Sequence, residues 1–400
     1  MSDKHAVFRQ YWREVIGTFL KLGALSYGGP ALMGIMQMEV QEKRAWMTRE
    51  RFLEGLALVN TLPGPGATQL GIFLGYTRAG WWGGMLAGVC FILPAFCIML
   101  SLTVMYHHYG TLPSIRHVFY GLSPVVVGIF AMSLFRLGKS AVRDQKQVLL
   151  AIGAALVLGL TPLGIIPTLL LAGAVGIALY GSRTRGMVSA LVLMALYSVH
   201  HWGGAWVMLP AFTGTAVGPA VSVLSPGLWD IGLFFLKVGA FSYGGGLAIL
   251  GFIHDQVVNQ LHWLTPQQFL DGLALGQLTP GPILMQAAFV GYGIGSISGA
   301  AVAAAAIFLP SFIMMLSLLP VLERMQGMVW MTAALRGISP AVIGLIAVAI
   351  VQMLPHAIPD LITGLLAVGT VVAMVLWRLS PLPLMAGGAA IGLVLRARLS

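Results

Sequence analysis

Two lysines stand inside apolar sequence, each followed at the same short distance by a glycine pair. Phe19-Leu20-Lys21 leads to Ser26-Tyr27-Gly28-Gly29, and Phe235-Leu236-Lys237 leads to Ser242-Tyr243-Gly244-Gly245. An ammonium in hydrocarbon costs about 2.5–3.5 kcal/mol on insertion scales, so such a lysine either snorkels to the surface or serves a function. Adjacent glycines permit a turn that other residues resist, and Pro30 suits the first turn of a restarted helix. A restarted helix presents unpaired N–H groups and the positive end of its dipole, both of which favour an anion. Cation and helix end together point to anion binding. A tetrahedral oxyanion suits such a cradle because several of its oxygens accept hydrogen bonds at once.

A second broken element is also duplicated. Asn60 precedes Pro63-Gly64-Pro65 and Gln69 follows it; Gln277 and Thr279 precede Pro280-Gly281-Pro282 and Gln286 follows. Proline stops a helix by removing a donor and clashing with the preceding turn. The amides on either side could bind a ligand or satisfy freed backbone groups, and the residues alone leave both readings open. Tyr27 and Tyr243 could line the site or pack beside it. Glu54 and Asp271 occupy matching places early in the helices that lead to these breaks. There a carboxylate could couple transport to protons, or act only as a partner for the helix dipole.

Other chemistries find little support. The pairs His107-His108 and His200-His201 lack further ligands at metal-binding spacing. No Walker-type loop, nucleophile elbow or zinc-protease motif occurs, so no enzymatic activity, metal or cofactor is expected. Cys90 and Cys97 lie too far apart along one helix for a disulfide.

The elements that position these residues belong in a bilayer. Of 400 residues, 58% are hydrophobic and only 8% charged, against about 25% charged in soluble domains. The basic residues behind the net charge of +10 are scattered or in short loop clusters, which reads as a topology signal and not as a nucleic-acid surface. Adding 216 to residue numbers in the first half recovers the second: Gly75-Tyr76 becomes Gly291-Tyr292, Pro94 becomes Pro310, and Ser123-Pro124 becomes Ser339-Pro340. The offset is expected to slip to 217 only around the Pro-Gly-Pro element. It also matches Glu14 with Asp230 and Glu39 with Asp255.

The chain is therefore read as an all-α polytopic membrane protein. An N-terminal repeat (1–182) and a C-terminal repeat (217–400) are joined by a linker (183–216) containing one transmembrane helix. Six apolar segments per half plus one linker helix set the second half upside down. Lysine and arginine agree: 16 of 22 lie at or before Arg185, and equivalent loops carry opposite bias, as inverted repeats require. Basic residues on both sides of segment 16–38 place both its ends in the cytoplasm, which predicts a re-entrant hairpin turning at Gly28-Gly29. Two kinked but complete spans in each half are the alternative.

These residues resemble the chromate ion transporter family in its long, two-domain form. The resemblance rests on FLKLGALSYGGPA, on the Trp-Met-Thr run that ends in LPGPG, and on FSYGGG, WLTPQQFLDGLALGQLTPGP and IFLPSF in the second half. It implies two opposed homologous halves and gradient-driven export of chromate across the cytoplasmic membrane, with sulfate as a related dianion. The expected partners are thus chromate or sulfate and the lipid bilayer, with no nucleic acid and with a homodimer left open. A sulfate importer or anion channel using the same site is the nearest rival, and a membrane-embedded enzyme is the rival of another class.

Overall fold

The computed structural model describes the chain except residues 1, 26–28, 162, 203–225, 243–245, 318–327 and 398–400. Every regular element among the described residues is helical. The first repeat comprises α1 (Ser2–Leu25), α2 (Gly29–Gln37), a π-turn (Met38–Lys43), α3 (Arg49–Thr61), α4 (Gly66–Tyr109), α5 (Pro113–Ala141), α6 (Gln145–Leu160) and α7 (Ile165–Tyr180). After the linker helix α8 (Arg183–Trp202) the order recurs as α9 (Leu228–Ala240), α10 (Gly246–His254), a second π-turn (Asp255–Gln260), α11 (Pro266–Leu278), a 3-10 turn (Ile283–Met285) and α12 (Gln286–Ser317). Helices α13 (Val329–Ala357), α14 (Leu361–Leu376) and α15 (Pro381–Ala397) complete it.

The first two elements of each repeat are hairpins. In a continuous helix Lys21 and Glu39 would stand about 27 Å apart, yet Lys21 Nζ lies 3.2 Å from Glu39 Oε1. The chain thus reverses between α1 and α2. In the second repeat Phe234 of α9 meets Phe252 of α10 at 6.4 Å and Trp263 at 5.2 Å, so α9 and α10 reverse likewise. The next pair also folds back. The Arg51 guanidinium of α3 lies 5.1 Å above the Phe73 ring of α4, and Gly55 leaves no room for a side chain against that ring. Gly272 and Phe289 repeat this contact between α11 and α12. The alternative of complete kinked spans gives way to four hairpins.

Helix α4 is itself bent back at Ala79-Gly80, where Gly80 takes φ +68°, and α12 at Gly295-Ser296, where Ser296 takes φ +53°. Residues 66–79 close the second hairpin, and residues 81–109 form the first full span. These long halves of α4 and α12 pack antiparallel, with Gly84 beside Leu316 and Gly88 beside Phe312. Antiparallel equivalents are what inverted repeats demand. Four helices among the described residues have the length and apolar character to cross a membrane: α4, α5, the stretch containing α12, and α13. Helices α6, α7, α14 and α15 are shorter and apolar.

The structure corrects the alignment of the halves. The two π-turns, the left-handed Ala45 (φ +49°) and His262 (φ +51°), and the capping residues Thr48 and Thr265 all stand 217 apart. The 217 offset therefore runs from Gly29 to Gln69, and the offset of 216 resumes by Phe73 and Phe289. Glu39 then corresponds to Gln256, each 6% exposed, and not to Asp255. The duplicated acids reduce to Glu14 with Asp230 and Glu54 with Asp271.

Candidate functional site

Among the described residues the hairpin tips at Gly64, Ser242 and Gly281 reach into the opposite repeat. Gly64, at φ +126° in the first Pro-Gly-Pro turn, donates its backbone N–H to the Ser242 carbonyl at the tip of the α9–α10 hairpin. A Cβ on Gly64 would stand 3.0 Å from Ser311 Oγ of α12. Gly281, at φ +97° in the second turn, faces Ala95 of α4 and the Gly23 carbonyl of α1. Ala95 and Ser311 are equivalents under the 216 offset, and Ala95 is the central residue of the 81–109 span. The tips therefore converge at mid-height of the two long helices. Close packing fixes this level: a side chain on Gly23 or Gly239 would collide with the carbonyl of Phe91 or Ile307 respectively.

Around the tips the polar groups are buried and underused. Thr68 Oγ1, Gln69 Oε1, Ser311 Oγ and both side-chain polar atoms of Gln286 have no hydrogen-bond partner among the described residues. Buried polar groups are normally paired, and each exception needs a reason. Gln69 donates Nε2 to the Pro63 carbonyl at 2.6 Å, so this amide holds the turn in shape. Gln286 lies against Gly276, with its Oε1 3.3 Å from the place of a Cβ there. The Thr279 hydroxyl is committed to the Leu275 carbonyl at 2.8 Å, ending α11. Pro65, Pro280 and Pro282 are buried and Pro63 and Gln277 partly so. A cavity of about 20 Å³ touches the tip at Phe241 and Ser242, room for about one water molecule. Ser26, Tyr27, Gly28, Tyr243, Gly244 and Gly245 lie outside the described residues, as does the side chain of Asn60; Gly29 opens α2.

The two lysines have different surroundings. Lys21 is half exposed and bonded to Glu39, which also meets Lys43 at 3.4 Å and Arg44 at 3.3 Å. Beside it Glu14 accepts from Arg78 at 2.8 Å and from Trp46 Nε1 at 2.8 Å. This mouth holds four cations against two carboxylates. At the corresponding mouth of the second repeat stand Lys237, Gln260, Leu261 and Ile294, with Gln256 in the place of Glu39. Lys237 is partly covered, and among the described residues no carboxylate lies within 4.0 Å of it.

The duplicated carboxylates also diverge. Glu54 is uncovered, its side chain 62% exposed, and it pairs with Arg51 at 2.9 Å. Asp271 is buried, 6% exposed. It accepts from the Tyr106 hydroxyl at 2.7 Å and from Gln267 Nε2 at 2.9 Å, with Ser123 Oγ 3.4 Å further along. Tyr106, Gln267, Thr68 and Ser311 escaped the sequence reading as site residues, and Ser123 entered it as part of a matched Ser-Pro pair. Ser311 could have been found there, since it follows the matched Pro310 where Ala95 follows Pro94.

Known proteins agree with this architecture. The model of the chromate transporter family matches twice, over residues 13–177 and 229–393, once per repeat. A chromate transport protein of Cupriavidus metallidurans is 36% identical over 96% of this chain and 92% of its own length. A probable chromate transport protein of Synechococcus elongatus is 34% identical over 92% of this chain and 90% of its own. A chromate transport protein of Pseudomonas aeruginosa is 29% identical over 88% and 84% respectively. No solved structure matches the chain. Two family matches in tandem, on two helical repeats packed in opposite directions, mean that this multi-pass membrane protein belongs to the chromate transporter family.

Proposed function

We propose that the chain is a secondary carrier that exports chromate across the cytoplasmic membrane, with sulfate as competing dianion. The observation that carries this reading is the meeting of hairpin tips at mid-height, where buried hydroxyl and amide groups lack partners. Irregular backbone at membrane depth is tolerated where protein or a water-filled path surrounds it, and sites between inverted repeats sit at that level. In this reading Lys237 and the two Pro-Gly-Pro turns form its walls, with Lys21 at the mouth beside Glu39. All these groups come from one chain, so a homodimer would pair two complete transport units.

The unequal mouths support the direction. Lys21, Lys43, Arg44 and Arg78 crowd the face that the positive-inside rule assigns to the cytoplasm. Clustered cations raise the local concentration of a dianion there. The opposite mouth has one lysine in the corresponding positions. Asp271 supports proton coupling. It is buried against Tyr106 near the far end of the 81–109 span, on the outer side in this orientation, whereas Glu54 is tied to Arg51.

Inverted membrane vesicles loaded under imposed pH and voltage gradients provide the test. Chromate should accumulate under a pH gradient and be displaced by unlabelled sulfate. Flux that follows voltage alone, without accumulation against a concentration gradient, would identify a channel instead.

A further inference from the structure

The two half-sites are related by symmetry but not by chemistry. Helix α4 starts directly at Gly66-Ala67-Thr68, small residues behind a Pro65 that offers no side-chain cap. The first backbone N–H groups of a helix have no acceptor within it. The equivalent place in the second repeat is a 3-10 turn of Ile283-Leu284-Met285, bulky and apolar, in which Met285 N–H already bonds the Pro282 carbonyl at 3.0 Å. Across the gap the pattern recurs. Ser311, 0% exposed with its hydroxyl unpartnered, confronts the first turn, and the Ala95 methyl confronts the second. Thr68, also 0% exposed and unpartnered, stands where the second repeat has Met285.

We infer that the transported oxyanion is held off the pseudo-two-fold axis, at the N-terminus of α4, with Ser311 of the opposite repeat and Thr68 as hydroxyl donors that set its affinity. The inference rests on the transport reading above and sharpens its site. A fully deprotonated tetrahedral dianion has only acceptor oxygens, so it needs a lining of donors. The α4 half-site supplies backbone N–H groups and two hydroxyls, whereas the Ala95 half-site supplies a methyl, a leucine, a thioether and the unpartnered amide of Gln286, which is turned toward Gly272 and Gly276 of α11. Ser311 also joins the repeats: it lies on α12, so any relative movement of the repeats changes its distance from the first turn of α4. One dianion per chain follows, not two.

The hydroxyl makes a clean test because it has no partner to lose. Removing an unsatisfied buried hydroxyl should leave stability unchanged or improved, while losing a hydrogen bond to a charged ligand weakens binding about tenfold or more. Purified full-length protein in liposomes, assayed for chromate flux against concentration, should show KM raised about tenfold or more by Ser311→Ala. Its thermal midpoint in detergent should stay level or rise. Thr68→Val should act the same way, and Ala95→Ser should leave KM where it was. Unchanged KM in both S311A and T68V, with flux intact, overturns the placement. So does a double variant, S311A with A95S, that recovers the original KM. Absence of chromate flux in the unmodified protein overturns the transport reading itself, and this placement with it.

Discussion

Replacing each of the two lysines by methionine should give unequal results, and the structure sets the inequality. Lys237 lies five residues before Ser242, about 7.5 Å along the helix. If the ammonium stood about 8 Å from a bound dianion, Coulomb attraction would be worth about 4 kcal/mol at an effective dielectric of 20 and about 2 kcal/mol at 40. The lower figure already corresponds to about 30-fold in affinity. Among the described residues no carboxylate lies within 4.0 Å of Lys237. Lys21 stands 3.2 Å from Glu39, and from the tip the two charges nearly cancel. Its remaining effect is capture at an exposed mouth, which salt screens over about 8 Å at physiological strength. Chromate flux into proteoliposomes should therefore show KM raised about 30-fold or more by Lys237→Met. Lys21→Met should raise KM less than about fivefold, and that loss should shrink further in high salt. Equal losses at the two positions, or full affinity in K237M, would refute the charge argument and leave Lys237 as a residue that snorkels to the membrane surface.

Three further outcomes follow from individual contacts. Asp271→Asn should abolish the response of chromate flux to an imposed pH gradient while Glu54→Gln leaves it intact; a preserved response in D271N removes that carboxylate from coupling. Gly239→Ala, which sets a methyl against the Ile307 carbonyl, should destabilise by about 1–3 kcal/mol through overpacking, read as a lower midpoint on heating in detergent. An unchanged midpoint would show that α9 and α12 can separate freely. Asp144, which caps α6, has its carboxyl held below its ordinary value of 3.8 by hydrogen bonds from the Tyr180 hydroxyl and the Gln147 N–H. A depressed carboxyl contributes stability above its unfolded value and loses it as pH falls through the folded one. Wild type and Asp144→Asn should therefore differ in thermal stability at neutral pH and converge below about pH 3.8, and a difference that persists in acid would discount the ionised cap.

Much of this architecture was legible because bilayers impose strict rules on sequence. Breaks stand out in apolar helices, and a repeat with opposite charge bias can hardly be read except as inversion. What escaped has physical reasons. A single-residue slip is invisible where apolar residues align equally well in either register, so Glu39 was matched with Asp255. The π-turns and the paired left-handed residues Ala45 and His262 reveal the true offset. The burial of Asp271 under Tyr106 depends on a contact spanning 165 residues of sequence, which no local pattern encodes. Ser311 is not marked by the repeat, because its equivalent is Ala95. The informative feature was a difference between them.

That difference bears on how a symmetric scaffold can work in one direction. Two inverted repeats with equal chemistry would offer an anion the same path from either side, and flux would follow the gradient of the anion alone. Here most of the backbone is symmetric: apart from the 3-10 turn before α12, the hairpins, the Pro-Gly-Pro turns and the close contacts at Gly23 and Gly239 match pairwise. Symmetry of packing lets each repeat move against the other through equivalent positions, as alternating access requires. The side chains break that symmetry at three levels. Cations crowd one mouth, hydroxyls line one half-site, and a buried carboxylate stands in one hairpin near the other mouth. In the export reading proposed above, a dianion would be captured at the cation-rich mouth and a proton would meet its acceptor near the other. Each ligand biases a different end of the same two-state movement, and a ligand shifts an equilibrium only by its differential affinity for the two states. Exchanging the chemistry of the mouths while keeping the glycines and prolines should therefore alter the preferred direction of capture without altering the fold. A variant carrying Gln at Lys43 and Arg44, and Lys and Arg at Gln260 and Leu261, would put that argument to the test. Its chromate KM, measured separately from the two faces in oriented vesicles, should change in opposite directions. If both faces kept their original values, the mouths would have no part in direction.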